Sequence, residues 1–253
     1  TFYYKKSKKI TMKTLLGYLF GAWAWFIFSV TTILMVLSFP FTRTVKTRRW
    51  IAHKGMNWVL KILGYKIKTN GLDNLIDSPA ILVANHASYI DPMVLAAVLP
   101  PNYAFVAKKE LKYIPFTGYV LSKLGTHLVD RFNAIKGAQD MRRIMTSSQM
   151  SDSIIFFPEG TFHAERGLSK FKLGAFVTAI KNNLPVIPVA ISGTRELLRS
   201  ETWLPKRVSL KISVFPPIQC EDGVDQSKEI AKQCRELILS AINEPDLKNK
   251  SFP

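Results

Sequence analysis

His86 and Asp91 stand five residues apart in Asn85-His86-Ala87-Ser88-Tyr89-Ile90-Asp91-Pro92. An imidazole takes a proton from a hydroxyl near neutral pH. A carboxylate on its other nitrogen fixes the tautomer and stabilises the imidazolium. The spacing allows the Asp91 carboxylate to fold back onto His86. Asp91 followed by Pro92 also reads as a helix start, with the carboxylate accepting from first-turn N–H groups. On its own such a pair reads more simply as a structural histidine beside a capping aspartate. Two more polar blocks end apolar runs: Gly125-Thr126-His127-Leu128-Val129-Asp130-Arg131 and Phe156-Phe157-Pro158-Glu159-Gly160-Thr161.

The elements that must position these blocks alternate. Ala80 to Ala84 is an uncharged apolar run and predicts a buried strand. His86 and Asp91 then fall on a strand-to-helix loop, at the end where open α/β sheets bind ligands. Tyr65–Thr69, Tyr103–Ala107, Thr126–Val129, Ser153–Phe157, Pro185–Ile191 and Ser209–Val214 read as further strands. Asp91–Leu99, Ala134–Met150, Phe171–Asn182 and Ser227–Ile242 read as helices, with a broken helix around Pro115 and Gly118. This alternation predicts an α/β fold, a largely parallel sheet flanked by helices.

The amino-terminal segment is different. Leu15 to Phe39 is 25 residues without an ionised side chain. At about 1.5 Å per residue a helix of that length crosses a hydrocarbon core of about 30 Å. The net charge of +17 is concentrated around it: residues 1–72 hold 13 Lys and Arg and no Asp or Glu. The remaining 35 − 13 = 22 bases face 18 acids. Pro40 breaks the helix, and Arg43–Leu63 reads as a second, amphipathic helix with Ile51, Trp58, Val59, Ile62 and Leu63 on one face. Basic residues on both flanks fit one anionic membrane surface contacted from one side, and a single crossing remains open. The expected division is 1–63 as a two-helix membrane anchor and 64–253 as the α/β domain.

The polar blocks, in their order, resemble the glycerolipid acyltransferase family: N-H-x-x-x-x-D at Asn85–Asp91, G-x-x-L-x-x-R at Gly125–Arg131, and F-P-E-G-T at Phe157–Thr161. A fourth block, an apolar run around a proline, matches Val186–Gly193. The resemblance covers roughly residues 60–215. It implies transfer of an acyl group from acyl-CoA or acyl carrier protein, as co-substrates, to the sn-2 hydroxyl of a lysophospholipid such as 1-acylglycerol 3-phosphate. His86 is then the general base and Asp91 its orienting carboxylate. Lys108, Arg131 and Lys172 become candidates for phosphate or coenzyme, with Arg166 a neighbour to share the phosphate. Glu159, Gly160 and Thr161 complete the candidate substrate site. Glu159 either accepts from the acceptor's hydroxyl or holds a neighbouring group, and Gly160 lets the backbone approach a ligand. Many members carry Arg after E-G-T, where this chain has Phe162, which leaves the acceptor open between lysophosphatidate, another lysolipid and glycerol 3-phosphate. The expected location is the cytoplasmic face of the inner or plasma membrane.

Other classes fit less well. His and Cys show no metal-ligand spacing, so no metal and no cofactor is expected. Two cysteines make no disulfide framework. Nucleic-acid binding would spread bases over the folded domain, whereas here they flank an apolar run. A non-catalytic membrane tether has no use for His86, Asp91, Arg131 and Glu159 together.

Overall fold

Seven strands and seven helices organise the described residues, which in this computed structural model are 12–130, 152–199, 202–221 and 226–250. The strands are β1 (Ile67–Asn70), β2 (Ile81–Ala84), β3 (Tyr103–Lys108), β4 (His127–Val129), β5 (Ser153–Phe156), β6 (Val186–Ser192) and β7 (Leu210–Val214). The helices are α1 (Met12–Ser38), α2 (Val45–Ile62), α3 (Asp91–Val98), α4 (Pro115–Lys123), α5 (Gly174–Lys181), α6 (Thr194–Leu197) and α7 (Ser227–Ala241). The helix expected over Ala134–Met150 lies outside the described residues, and so does Arg131.

The strands form one sheet in the order β1-β7-β6-β2-β5-β3-β4. Five of them, β6, β2, β5, β3 and β4, are mutually parallel. β7 runs antiparallel to β6, and β1 lies parallel to β7. The parallel set puts the ends of β2, β4 and β5, and so three of the four sequence blocks, at one edge.

β2 is the middle strand of the seven, and all four of its residues are buried, as a strand covered on both faces requires. Its side chains alternate between two cores. Leu82 and Ala84 join Ile155, Ile187 and Val189 on the face covered by α1, α2 and α3. Ile81 and Val83 join Ile154, Phe156 and Val186 on the face covered by α5 and α7. That division is the two-residue period of a pleated strand.

The amino-terminal helices share the first of these cores. Ala24 and Ile27 of α1, and Met56 and Val59 of α2, pack into it. The expected apolar face of α2 needs correction: Ala52, Met56, Val59 and Leu63 turn inward, while Trp58 and Ile62 are exposed. The inward set recurs at four- and three-residue steps, the stripe that one packed helix presents to another layer. α1 is long and apolar enough to cross a membrane by length and composition. It is also two-sided. Leu16, Leu19, Phe26 and Leu34 are exposed while Ala24, Ile27 and Met35 are buried.

Candidate functional site

The site begins where β2 runs out. Asn85 leaves the strand buried, and its side-chain amide replaces a ladder pair: Nδ2 donates to the Ile191 carbonyl at 2.9 Å, and Oδ1 accepts from the Ile191 amide at 2.7 Å. This two-way bond fixes the start of the loop against β6. Ser88 is fully buried, and its hydroxyl donates to the Leu198 carbonyl at 2.7 Å. Neither residue stood out as a candidate, yet both anchor the loop that carries His86.

Asp91 is completely buried. One oxygen, Oδ2, lies 2.8 Å from His86 Nδ1 and accepts from the Ala87 amide at 2.7 Å and the Ser88 amide at 2.8 Å. The other, Oδ1, is buried with no partner among the described residues. The capping expectation is therefore corrected. Ile90 holds the cap position and makes no side-chain cap bond, and Asp91 is the first helical residue. Its carboxylate points back into the loop because the turn closed by the Asp91 amide on the Ser88 carbonyl (3.2 Å) brings two loop amides and the imidazole onto it. With Nδ1 occupied, Nε2 is the nitrogen left to exchange a proton.

Two aromatic rings enclose the imidazole. Phe157 stacks on it at 4.3 Å and 24°, and Phe162 meets its edge at 4.8 Å and 71°. Phe162 also packs edge-on against Tyr89 at 4.6 Å. The residue that departs from the family pattern thus sits directly against the candidate base.

Glu159 ties the second loop to the first. Its Oε1 accepts from the His86 amide at 2.7 Å and its Oε2 from the Ser169 amide at 2.8 Å. Burial pushes its carboxyl up to about 7, while the amides of His86 and Ser169, the Ser169 hydroxyl and the Arg195 charge pull the other way. Both oxygens are engaged by this chain's own backbone, so the geometry favours Glu159 as the group that holds a neighbour. Gly160 has φ +84°, and a Cβ there would lie 2.8 Å from Lys172 Nζ. Glycine is needed both for the left-handed turn and for the lysine chain passing over it. The Lys172 amide donates to the Pro158 carbonyl at 2.8 Å, closing this loop on itself.

His86, Asp91, Glu159, Gly160, Thr161 and Lys172 are thus gathered where β2 and β5 end. Lys108 closes β3, the next strand along, and is half-buried. Arg166 is held elsewhere: its guanidinium donates to the Asn243 carbonyl at 2.6 Å and lies 3.9 Å from Glu196.

The carboxyl-terminal segment secures the Phe157–Phe171 loop. Arg195, in α6 after the fourth block, bonds both oxygens of Glu244 at 2.9 and 3.2 Å, and donates to the carbonyls of His163 and Glu165. Arg235 of α7 donates to the carbonyls of Leu168 and Ser169 and pairs with Asp246. Arg235 had a readable signal. It shares the inward face of α7 with Ile230, Ala231, Cys234 and Ile238, and a charge on an apolar stripe needs a buried partner. Arg195 had none, since its acceptors lie 30 to 49 residues away in the chain.

The acyltransferase family model matches residues 66–192. Over 172 residues the chain is 36% identical to the 1-acyl-sn-glycerol-3-phosphate acyltransferase of Salmonella typhimurium, covering 66% of this chain and 68% of that protein. Over 201 residues it is 30% identical to the enzyme of the same name from Saccharomyces cerevisiae, covering 78% of this chain and 66% of that protein. The chain therefore spans about two thirds of the length of these relatives. The crystal structure of the 1-acyl-sn-glycerophosphate acyltransferase PlsC from Thermotoga maritima superposes with a TM-score of 0.74 at 22% identity, covering 91% of this chain and 96% of that one. That likeness concerns the fold.

Proposed function

The chain belongs to the acyltransferase family, and on that footing we propose that it is a 1-acylglycerol-3-phosphate O-acyltransferase. The acyl donor is an acyl thioester of coenzyme A or acyl carrier protein, and the product is phosphatidate. The observation that carries the mechanism is the His86 Nδ1 to Asp91 Oδ2 bond of 2.8 Å at the carboxyl edge of the sheet. His86 Nε2 takes the proton of the sn-2 hydroxyl as its oxygen attacks the thioester carbonyl carbon. The tetrahedral intermediate collapses, the C–S bond breaks, and the imidazolium returns the proton to the leaving thiolate. Asp91 stabilises the imidazolium between those steps.

The surroundings support this reading. An apolar groove between α1, α2 and α3 is lined by Trp25, Phe28, Met56, Val59, Tyr89 and Met93. Tyr89 belongs to the loop that carries His86, so an acyl chain lying in this groove reaches the base with its carbonyl end. Lys108, Arg131 and Lys172 are the candidate cations for the acceptor's phosphate and the donor's coenzyme. Glu159, Gly160 and Thr161 belong to the same candidate substrate site.

The membrane reading belongs to the same proposal. Residues 1–63 anchor the protein and 64–253 form the acyltransferase domain, at the cytoplasmic face of an anionic membrane. α1 lies in one leaflet with its inner side kept on the domain. Arg207 sits 4.5 Å from the Phe20 ring, and Trp25 Nε1 donates to the Trp203 carbonyl. A crossing helix would draw that charge and backbone into hydrocarbon, which is costly.

Phe162 favours a second acceptor reading. An aromatic side chain in place of the common arginine, packed on His86 and Tyr89, suits a lysolipid other than lysophosphatidate. One experiment separates these. Detergent-solubilised protein is given acyl-CoA or acyl carrier protein and a panel of acceptors, thiol release is followed, and products are identified by mass. Lysophosphatidate-dependent release with phosphatidate formed is expected. His86→Ala should lower the rate by about 10² to 10⁴ while the protein stays folded and membrane-bound. Turnover only with another lysolipid would move the substrate. Near-normal turnover by His86→Ala would remove His86 as the base, and silence throughout would leave a tether.

A further inference from the structure

The basic amino-terminal helices are not the only apolar surface of this chain. After Lys108 the chain makes a short turn, Lys109–Tyr113, and enters α4. Tyr113 is 76% exposed and Phe116 51%, with Ile114 and Tyr119 exposed beside them. Four large apolar side chains within seven residues on a folded surface are unusual unless something covers them.

The segment is held in that presentation. Gly118 is buried, and a Cβ on it would lie 2.2 Å from the Lys112 carbonyl oxygen, so the turn packs directly onto α4. Phe116, Tyr119 and Lys123 recur at three- and four-residue steps along one side of the helix. The neighbouring side, Val120 and Leu124, packs on Met35, Phe39 and Ala52 of the amino-terminal helices. Arg48 and Arg49 of α2 tighten this junction by donating to the carbonyls of Lys123 and Leu124.

We propose that Tyr113–Tyr119 is a second membrane-insertion element, docking the acyltransferase domain itself onto an anionic lipid surface. The proposal rests on the membrane reading above and deepens it. Two observations select lipid as the occupant. First, the helix that carries the patch packs through Val120 and Leu124 on Met35 and Phe39 at the end of α1, where Leu34, Leu37 and Phe41 are exposed. Second, Lys109, Lys112 and Lys123 flank it along the chain, against Glu110 as the one acid within Lys109–Lys123. Exposed aromatics with a basic rim are the composition of an interfacial segment. Lys123 lies 5.4 Å from the Tyr119 ring, so cation and ring reach the same depth.

The placement has a functional consequence. The turn follows directly on Lys108 at the strand end where β3 leaves the sheet. Insertion at Tyr113–Tyr119 would bring this edge to headgroup depth. A lysolipid would then present its phosphate to the site with its chain still in the leaflet.

The test uses the full chain with Cys220→Ser and Cys234→Ala, and an environment-sensitive fluorophore on one introduced cysteine. The positions are Phe116→Cys, Leu34→Cys on α1, and Lys232→Cys on α7, which covers the opposite face of the sheet. Vesicles contain phosphatidylglycerol and phosphatidylethanolamine, with or without brominated chains. The expected result is a blue shift and bromine quenching at 116 and 34, and neither at 232. A shift at 34 with none at 116 overturns this inference and leaves the anchor standing. No shift at either position overturns both. A shift at 116 on adding acyl carrier protein, absent with vesicles, makes the patch a protein-docking surface and overturns the lipid assignment. Unlabelled Tyr113→Asp/Phe116→Asp protein should turn over vesicle-borne lysolipid about tenfold more slowly. Its turnover of the same acceptor in detergent micelles should be unchanged; equal losses in both would also count against the inference.

Discussion

Two loops meet at His86, and they are held by opposite means. The Asn85–Asp91 loop is short and secures itself: one Asp91 oxygen gathers the imidazole and two amides from residues three to five positions away. The Phe157–Phe171 loop is longer and is secured from outside. Arg195 with Glu244 and Arg235 with Asp246 hold its carbonyls, and Glu159 passes that order to the His86 amide. A short loop can carry its own organising group. A long one loses more chain entropy on ordering and needs partners from distant parts of the chain. The first loop therefore sets the chemistry of the imidazole, and the second sets where the imidazole sits.

The largest effect should come from the self-held loop. Asp91→Asn keeps an oxygen able to accept from the two amides and from His86 Nδ1, and it removes the negative charge that stabilises the imidazolium. Turnover should fall by about 10² to 10⁴ with folding retained. Asp91→Ala should lose the same activity and also destabilise the protein, because two buried amides lose their acceptor. Comparing thiol release with urea unfolding for the two variants separates the roles. Full activity in Asp91→Asn would mean that geometry alone suffices in this loop.

This division also explains what could be read from the sequence. The strands around His86 and Glu159 were legible because burial on both faces makes apolar runs. The His86–Asp91 pair was legible because its partners are local. The fold-back of Asp91 onto His86 was read correctly and only its capping role was not, since a capping aspartate and one bonded backward have the same sequence, and the turn at Ser88–Asp91 decides. The outer clamp was invisible for a different reason. Arg195 and Glu244 come together only when β6 and α7 have both packed, and nothing in either neighbourhood marks the other. The inward stripe of α2 was misjudged because Trp58 and Ile62 are apolar yet face outward, and apolarity alone does not tell a core from a lipid-facing surface.

The outer clamp supplies the next effect. Arg195 and Glu244 are nearly buried, with 8% and 12% of their side chains exposed. Glu244→Gln leaves a buried guanidinium short of its counter-charge and should cost about 3 kcal/mol in urea unfolding. The paired change Arg195→Met/Glu244→Met removes both charges and should recover most of that stability. Turnover should nevertheless be about tenfold low in the pair, because only there do the carbonyls of His163 and Glu165 lose their Arg195 donor. Recovery of both stability and turnover would show that the long loop does not need the Arg195–Glu244 clamp.

Glu159, the link between the loops, predicts a pH effect of similar or smaller size. Its carboxyl is raised from an ordinary 4.5 to about 7 by burial. Between those values the folded protein holds a proton that the unfolded chain has lost. Stability contributed by this group is therefore greatest below about 4.5, declines as pH rises to about 7, and is level above. The full span is up to about 3 kcal/mol. Glu159→Gln cannot titrate, so the wild-type-minus-variant difference in unfolding free energy should fall between pH 5 and pH 8. A flat difference would mean that the two amides and Arg195 offset burial completely.

The smallest effect belongs to Phe162, one of the two rings of the long loop that touch the base. Its ring meets the edges of His86 and Tyr89, and aromatic pairs of this kind contribute about 0.5 to 1.5 kcal/mol beyond burial. Phe162→Leu keeps apolar bulk and loses the ring. If Phe162 acts by fixing the imidazole, kcat should fall about threefold to tenfold with KM for the acceptor unchanged. If it instead shapes the acceptor's binding place, KM should rise and kcat hold. The split assigns the family departure either to the position of the base or to the choice of lysolipid. In the first case the long loop fixes His86 through three contacts, the Glu159 carboxylate and the rings of Phe157 and Phe162. In the second, Glu159 and Phe157 carry that task.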